Sequence, residues 1–361
     1  MKKQDEHLCN VDLTVVIVSY GSRTDLERCL PTLYTPGNPE LTVLVVDNHG
    51  ADGVPDWLEH DWPAVQVVRN PCNSGYSGGN NLGLALAHTP YTLILNPDTE
   101  VGPGALAALL TAARVQPFAL ITPKLLRPDG RVNACGNEMH YTGLVWCLGL
   151  GQPAEKYQGL QPVPLLSGAA IIGRTEVFRD LGGFDEQFFM YYEDTDLSLR
   201  AKLRGYRLFC LADAEITHHY TLNMTPGKLY QLERNRLLTL FKVLSGRTLR
   251  QLLPALLLTE AATWSFSVRG WSYVRARARV YGWLWRHRFE LRQTRSEVQR
   301  SRRCSDADLL GQSSLALPIG QVSAPALGRL VNAVCVPIYR LLKPASLRIG
   351  VQSPAVLGRQ S

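Results

Sequence analysis

The strongest constraint on this chain is a series of short, almost uninterrupted apolar runs in its first third, separated by helical patterns. Leu13–Ser19, Leu41–Asp47, Val65–Arg69, Tyr91–Asn96 and Ala119–Thr122 read as strands. Continuous apolar runs, unlike alternating ones, belong to strands covered on both faces. Ser77–Ala87 and Gly104–Val115 carry helical patterns between them. Strand and helix signals in alternation imply βαβ units and a mainly parallel sheet.

Arg127-Pro128-Asp129-Gly130-Arg131 has the composition of a turn and predicts a hairpin or a flap. Beyond it, Leu165–Gly173 and Tyr206–Leu211 read as strands, and Thr175–Leu181 as a short helix. Glu193–Leu203 reads as a longer helix closed by Gly205, and another helix follows from Pro226 to Leu244. A length of 361 residues accommodates one large α/β domain with an appendage. The expected division is an α/β domain over residues 10–245, a basic amphipathic helical region over 246–303, and a partly irregular tail over 304–361. Pro318, Pro325, Pro337, Pro344 and Pro354 mark that tail.

Met1-Lys2-Lys3 is followed by Asp5, Glu6 and Asp12, and Val15–Val18 is too short for a signal-peptide core. The eight cysteines are scattered, with no Cys-x-x-Cys pair, which fits a reduced, cytoplasmic setting. Leu252–Val268 is apolar but holds Glu260, and it is shorter than the roughly 20 residues a spanning helix needs. The net charge of +7 is concentrated between Arg269 and Arg303, where Glu290 and Glu297 are the only acids. Trp271, Val274, Ala278, Tyr281, Trp285 and Phe289 recur there at helical spacing among arginines. Such a helix suits either the headgroup region of an anionic membrane or a docking site on the protein itself. Nucleic acid is not an expected partner, because no recognition motif accompanies the charge.

Polar clusters close the apolar runs: Ser19-Tyr20, Asp47-Asn48, Arg69-Asn70 and Asn96-Pro97-Asp98. Polar residues often begin loops after strands. Four such clusters in a row, two with acids, point instead to a ligand crevice at the carboxyl edge of a parallel sheet. Asn73–Gly83 is rich in glycine and asparagine: glycines such as Gly75 permit close backbone approach, and its amides and Asn side chains, Asn81 among them, can hydrogen-bond a ligand near a helix start, unless the segment is simply a flexible glycine loop. It matches neither a dinucleotide-binding fingerprint nor a P-loop. Asp98, at a strand end, is suited to a Mg²⁺ or Mn²⁺ ion that keeps diphosphate oxygens and waters as its other ligands, or to a helix cap. Glu193, Asp194 and Asp196 begin a helix, where acids are favoured by the dipole. The aromatic run Phe188–Tyr192 before them would desolvate a carboxylate and raise its pKa towards that of a general base. His218 follows a strand-like segment and could be structural or a further metal ligand.

Together these segments resemble the inverting family 2 glycosyltransferases of GT-A fold, in particular their rhamnosyltransferase-like branch. The resemblance spans roughly residues 13–240 and includes Val15–Tyr20, Val45–Asn48, Asn73–Gly83 and Leu95–Asp98. It continues through Ser167–Ala170, Gly182–Glu186 and Phe189–Leu197, with His218 behind. It implies that residues 10–245 form the GT-A domain and that the enzyme moves a sugar, rhamnose first among the candidates, from a nucleotide-diphosphate donor. The acceptor would be a hydroxyl of a glycan or lipid-linked glycan in cell-surface polysaccharide assembly. Donor contacts would fall to Ser19, Tyr20, Asp47, Arg69, Asn70, Gly75, Asn81, Asn96 and Asp98. Acceptor contacts would fall to Gly183, Phe184, Asp185, Tyr192 and Glu193. Asp98, with His218, would hold Mg²⁺ or Mn²⁺, and Asp194 would be the general base. Asn96-Pro97-Asp98 departs from Asp-x-Asp by one charged ligand, which implies modest metal affinity. The rival readings are a sugar nucleotidyltransferase, for which Gly21-Ser22-Arg23 is a poor match, and a silent nucleotide-sugar or glycan-binding scaffold. An enzyme with a lipid-linked acceptor would work at the inner face of the plasma membrane.

Overall fold

The computed structural model describes residues 11–221, 223–311, 313–317 and 325–347. The described residues fall into two compact units. The first comprises residues up to 137, 147–198 and 207–223; the second comprises 138–146, 199–206 and the chain from 224 onward.

The first unit is built on a ten-stranded mixed sheet. β1 (Leu13–Ser19) pairs in parallel with β2 (Leu41–Asp47) and β4 (Tyr91–Leu95), and β2 pairs in parallel with β3 (Val65–Arg69). Every residue of β1 is buried, as its unbroken apolar run requires. Helices α1 (Arg23–Leu33), α2 (Val54–Asp61) and α3 (Gly75–Leu86) make the crossovers. β5 (Thr99–Val101) and α4 (Ala105–Val115) follow, and then β6 (Ala119–Leu126) and β7 (Val132–Ala134) form the hairpin expected at Arg127–Arg131.

The second half of the sheet departs from the pattern read in the sequence. β8 (Asn137–Met139) and β9 (Val145–Cys147) make a separate ribbon, and β10 (Leu160–Pro162) lies at a sheet edge. The strand expected from Leu165 begins only at Ala170: β11 (Ala170–Arg174) sits antiparallel between β4 and β6. α5 (Thr175–Asp180) and α6 (Glu193–Leu203) follow. The strand read as Tyr206–Leu211 runs on as β12 (Arg207–His218). A bulge between Leu211 and Glu215 lets β12 pair with the whole of β6 and then with β5. The polar end of that strand hides its continuation in the sequence, and the bulge is what carries His218 to the edge beside Thr99.

The second unit is helical: α7 (Pro226–Val243), α8 (Gly246–Trp264), α9 (Trp271–Arg286), α10 (Arg288–Arg300), α11 (Asp306–Leu310) and α12 (Pro325–Leu342). Thr225 and Ser245 cap α7 and α8 by accepting from the amides of Lys228 and Thr248. Within the expected irregular tail, Pro337 lies inside α12, whereas Pro318 and Pro354 lie outside the described residues. Among the described residues, no helix is long and apolar enough to cross a membrane.

A buried charge cluster holds this unit together. Glu233 accepts from Arg236 Nε and Nη2 at 3.1 and 2.9 Å and is paired with Arg277. Glu260 pairs with both arginines and accepts from the Tyr281 hydroxyl at 2.5 Å. Both guanidinium groups are fully buried, so their charge is tolerated only because two carboxylates face them. Burial would raise the Glu233 carboxyl, but the two arginines outweigh it and hold it below the ordinary carboxylate range. Glu233→Ala would leave two buried cations sharing one acid, with an expected loss of about 3–5 kcal/mol. Thermal unfolding checks this; an unchanged midpoint would contradict it.

Candidate active site

Parallel register brings the first three polar clusters to one edge. Ser19 lies opposite Asp47, and Asp47 opposite Arg69, at the carboxyl ends of β1, β2 and β3. Asp47 is buried and accepts from the Gly50 amide at 3.2 Å. Burial pushes its carboxyl above the usual value, against that hydrogen bond. Tyr20 is exposed beside it. Arg69 turns to the surface of α2, where Nη2 meets Asp56 and Glu59 at 2.8 Å each.

Asn48 and Asn70 organise the entry to α3. Asn48 donates to Asn73 Oδ1 and to the Gly75 carbonyl, at 2.9 and 3.0 Å. Its own Oδ1 accepts from Asn70 at 2.7 Å and from the Ser74 amide at 3.1 Å. The segment read as a ligand loop is therefore mostly the first turns of a helix, and its glycines serve packing. A Cβ on Gly79 would come within 2.6 Å of Val18, and one on Gly83 within 2.2 Å of Val16. Gly75 has φ +73°, and a Cβ there would lie 2.4 Å from the Phe189 carbonyl. Asn81 clamps the Gly183–Glu186 segment, donating to the Phe184 carbonyl at 2.9 Å and accepting from its amide at 2.8 Å. Gly183, at φ +66°, gives way to that clamp, since a Cβ would sit 2.4 Å from Asn81 Oδ1. Phe184 is buried with its ring edge-on to Tyr76, and Asp185 caps a short turn through the Gln187 amide.

The approach to α6 is strained. Phe189, Tyr191 and Tyr192 all have positive φ, at 62°, 66° and 69°. Phe189 also has ψ −64°, and Met190 N bonds the Phe188 carbonyl at 2.7 Å, which makes a γ-turn of the disfavoured hand. Three such residues in four cost of order 1–3 kcal/mol each and persist only where their surroundings hold them. Here they aim the first turn of α6. Asp194 Oδ2 accepts from the Gly168 amide at 2.9 Å and from Asn137 Nδ2 at 3.3 Å. Its Oδ1 accepts from the Thr195 amide at 2.6 Å. Desolvation raises the Asp194 carboxyl despite these donors. Burial, then the charge of Asp194, lifts neighbouring Glu193 well above the ordinary range. Gly168 packs closely here, since a Cβ would come within 3.1 Å of Asp194 Cβ.

Asp98 and His218 meet across the β5–β12 pairing. His218 Nε2 stands 3.3 Å from Asp98 Oδ1, and neither atom makes a hydrogen bond. His218 Nδ1 lies 3.1 Å from Asn133 Oδ1, an acceptor, so Nδ1 carries a proton. Nε2 and the facing carboxylate oxygen are the two atoms that could hold a cation there. Asn96 Oδ1 is also buried without a partner. Burial alone would raise the Asp98 carboxyl, but the facing His218 outweighs it and holds it low. Among the described residues, no group of three or more His, Cys, Asp or Glu side chains could hold a metal. A Mg²⁺ or Mn²⁺ ion held by Asp98 and His218 would take its remaining ligands from diphosphate oxygens and waters.

Tyr76 links the two acidic centres. Its hydroxyl donates to the Gly168 carbonyl at 2.7 Å. Burial first, then Glu193, Asp194 and Asp98, keep this phenol protonated. Sequence reasoning assigned no role to Tyr76, Asn48, Asn133 or Asn137. Tyr76 and Asn48 sit inside segments already singled out, but nothing in the sequence marks Asn133 or Asn137.

The family model described as glycosyl transferase family 2 matches residues 14–182. The N-acetylglucosaminyl-diphospho-decaprenol L-rhamnosyltransferase of Mycobacterium tuberculosis is 32% identical over 232 residues, covering 57% of this chain and 76% of the relative. This chain is a family 2 glycosyltransferase. The low-salt glycan biosynthesis hexosyltransferase of Haloferax volcanii is 27% identical over 277 residues, covering 73% of this chain and 84% of the relative. Solved structures share the fold. GalNAc-T7, crystallised with UDP, GalNAc and Mn²⁺, superposes with a TM-score of 0.53 at 17% identity, over 65% of this chain and 48% of that one. Residues 1–349 of TarS from S. aureus give 0.50 at 17%, over 92% and 90%. The glycosyltransferase thus has the GT-A architecture, and its family inverts the anomeric centre.

Gly75→Ala tests how far the strained loop depends on α3. With no space and an unfavourable φ, the substitution should cost about 1–3 kcal/mol of stability and reduce turnover. Thermal unfolding and a transfer assay on the same sample check it; a variant unchanged in both would show that Phe189 is not held by this contact.

Proposed function

We propose that this glycosyltransferase moves rhamnose from a nucleotide-diphosphate donor onto a hydroxyl of a lipid-linked glycan, with Asp194 as the general base. The observation that carries the chemistry is the Asp194 carboxylate, fixed by the amides of Gly168 and Thr195 and raised by desolvation. The rhamnosyltransferase relative supports the choice of sugar and of acceptor class. The GT-A neighbour solved with Mn²⁺ supports a divalent ion.

In this reading the acceptor hydroxyl gives its proton to Asp194 while its oxygen attacks the anomeric carbon. The bond from that carbon to the diphosphate oxygen breaks, and the electron pair leaves with the nucleoside diphosphate. A divalent ion held by Asp98 and His218 would neutralise charge on the leaving diphosphate. Asp47, with Ser19 and Asn70 at the same edge, serves the nucleoside, and Tyr192 and Glu193 face the acceptor. Burial and the neighbouring charge of Asp194 push the Glu193 carboxyl well above its ordinary range, so it resists ionising beside the base. The basic α9–α10 region would keep the enzyme near an anionic membrane at the cytoplasmic face, where the aromatics Trp271, Trp285 and Phe289 are exposed.

Asp194→Asn should lower transfer by about a hundredfold or more while sparing donor affinity. Equal turnover in the variant would sink the assignment. The sign of the pH dependence follows from the raised carboxyls. Activity needs the deprotonated base, so kcat/KM should rise with pH through an apparent pKa above the ordinary carboxylate value of about 4. A pH–rate profile flat through that region would contradict it. Asn133→Leu removes the partner that orients His218, and should raise the metal concentration needed for half-maximal donor binding about 10–100-fold. Metal titration of donor binding by calorimetry would show this, and an unshifted titration would remove His218 from the metal.

A further inference from the structure

The end of the second unit differs from the rest of the chain in charge and in the face it turns to water. From Leu309 to Ser361 the sequence has no Asp or Glu, while Arg329, Arg340, Lys343, Arg348 and Arg359 are present. Polar contacts help to fix α12 to the unit. The buried Tyr339 hydroxyl meets Thr259 Oγ1 at 2.8 Å, and the Tyr339 carbonyl accepts from the Tyr141 hydroxyl at 2.8 Å. Asn332 brackets Leu317, accepting from its amide at 2.7 Å and donating to its carbonyl at 3.0 Å.

The exposed face of α12 is apolar. Leu330, Ala333, Val334, Pro337, Ile338 and Leu341 recur at intervals of three and four, which is one side of a helix. Leu330, Val334, Ile338 and Leu341 are 67, 61, 39 and 79% exposed. At roughly 100° per residue, Tyr339 points the opposite way from Leu330. Arg329 and Arg340 flank the stripe along one side. α8, joined to α12 through Thr259, also exposes Leu253 and Leu257. A contiguous aliphatic stripe on an outward helix face marks an interaction site.

We infer that α12 lies in the plane of an anionic lipid surface, with this stripe sunk into the headgroup–acyl boundary. The helix is too short and too mixed to span, which leaves the in-plane position. The acid-free, arginine-flanked sequence complements anionic headgroups. A second copy of the chain fits less well, because its own stripe would bring another wholly basic flank. The inference stands apart from the choice of donor and acceptor, since lipid binding needs no turnover. It also separates two contributions: attraction through α9–α10 is screened by salt, whereas apolar insertion is not.

The test is flotation of the full chain with phosphatidylglycerol-containing vesicles and with pure phosphatidylcholine vesicles, at low and high salt. L330E/V334E places acids on the stripe, and L330Q/V334Q removes its apolar character without adding charge. Thermal unfolding and activity on a water-soluble acceptor report whether each variant folds. Wild type should float with the anionic vesicles at both salt concentrations. Both variants should fold, bind at least about tenfold more weakly, and lose the remainder at high salt. Equal flotation of wild type and folded variants would overturn the inference. So would a wild-type dimer by sedimentation that becomes monomeric in L330Q/V334Q with no change in lipid binding.

Discussion

Parallel pairing of β1 with β2 and β4 is the constraint on which the rest of this enzyme depends. Once those ladders form, Ser19, Asp47 and the Asn96–Asp98 turn must emerge at the same edge. The apolar interior of the strands leaves no other place for polar chemistry. β11 then inserts antiparallel beside β4, and its preceding loop delivers the Gly168 amide to Asp194. The bulge in β12 returns that strand to β5, so that His218 closes on Asp98. A single sheet thereby positions both the Asp98–His218 pair and the loop that binds Asp194.

The two centres are kept distinct by different physical means. Asp98 is held low in pKa because a histidine faces it, whereas Asp194 and Glu193 are raised because burial dominates. Tyr76 stands between them as a neutral donor, bonded to the carbonyl of the residue whose amide binds Asp194. The positive-φ run Phe189–Tyr192 is the conformational cost of presenting that acid, and the absence of a side chain at Gly75 lets Phe189 approach α3.

Much of this was legible in the sequence. Continuous apolar runs fixed the first four strands almost to the residue, because burial on both faces leaves a strong one-dimensional signal. The position of Asp47 and Asp98 at the sheet edge is legible for the same reason, because each follows such a run. The sequence signal of β12 ends at Leu211, since the residues after its bulge alternate polar and apolar and do not read as a core strand. The glycines of Asn73–Gly83 suit a ligand loop equally well in sequence, but Gly79 and Gly83 are needed by Val18 and Val16; only three-dimensional packing tells those uses apart. Arg69 and Asn81 follow the same rule: their side chains meet α2 and the Phe184 backbone, contacts with no local signature. Asn133 and Asn137 act on His218 and Asp194 across 85 and 57 residues of chain, so no window of sequence could reveal them.

The most direct test of the account is to follow transfer by NMR with a nucleotide-diphospho-rhamnose donor of defined anomeric configuration, in the presence and absence of a divalent ion. In-line attack assisted by Asp194 predicts a product of opposite configuration, formed together with free nucleoside diphosphate and dependent on the ion. A product that retains the donor's configuration, or equal transfer in the presence of chelator, would contradict it.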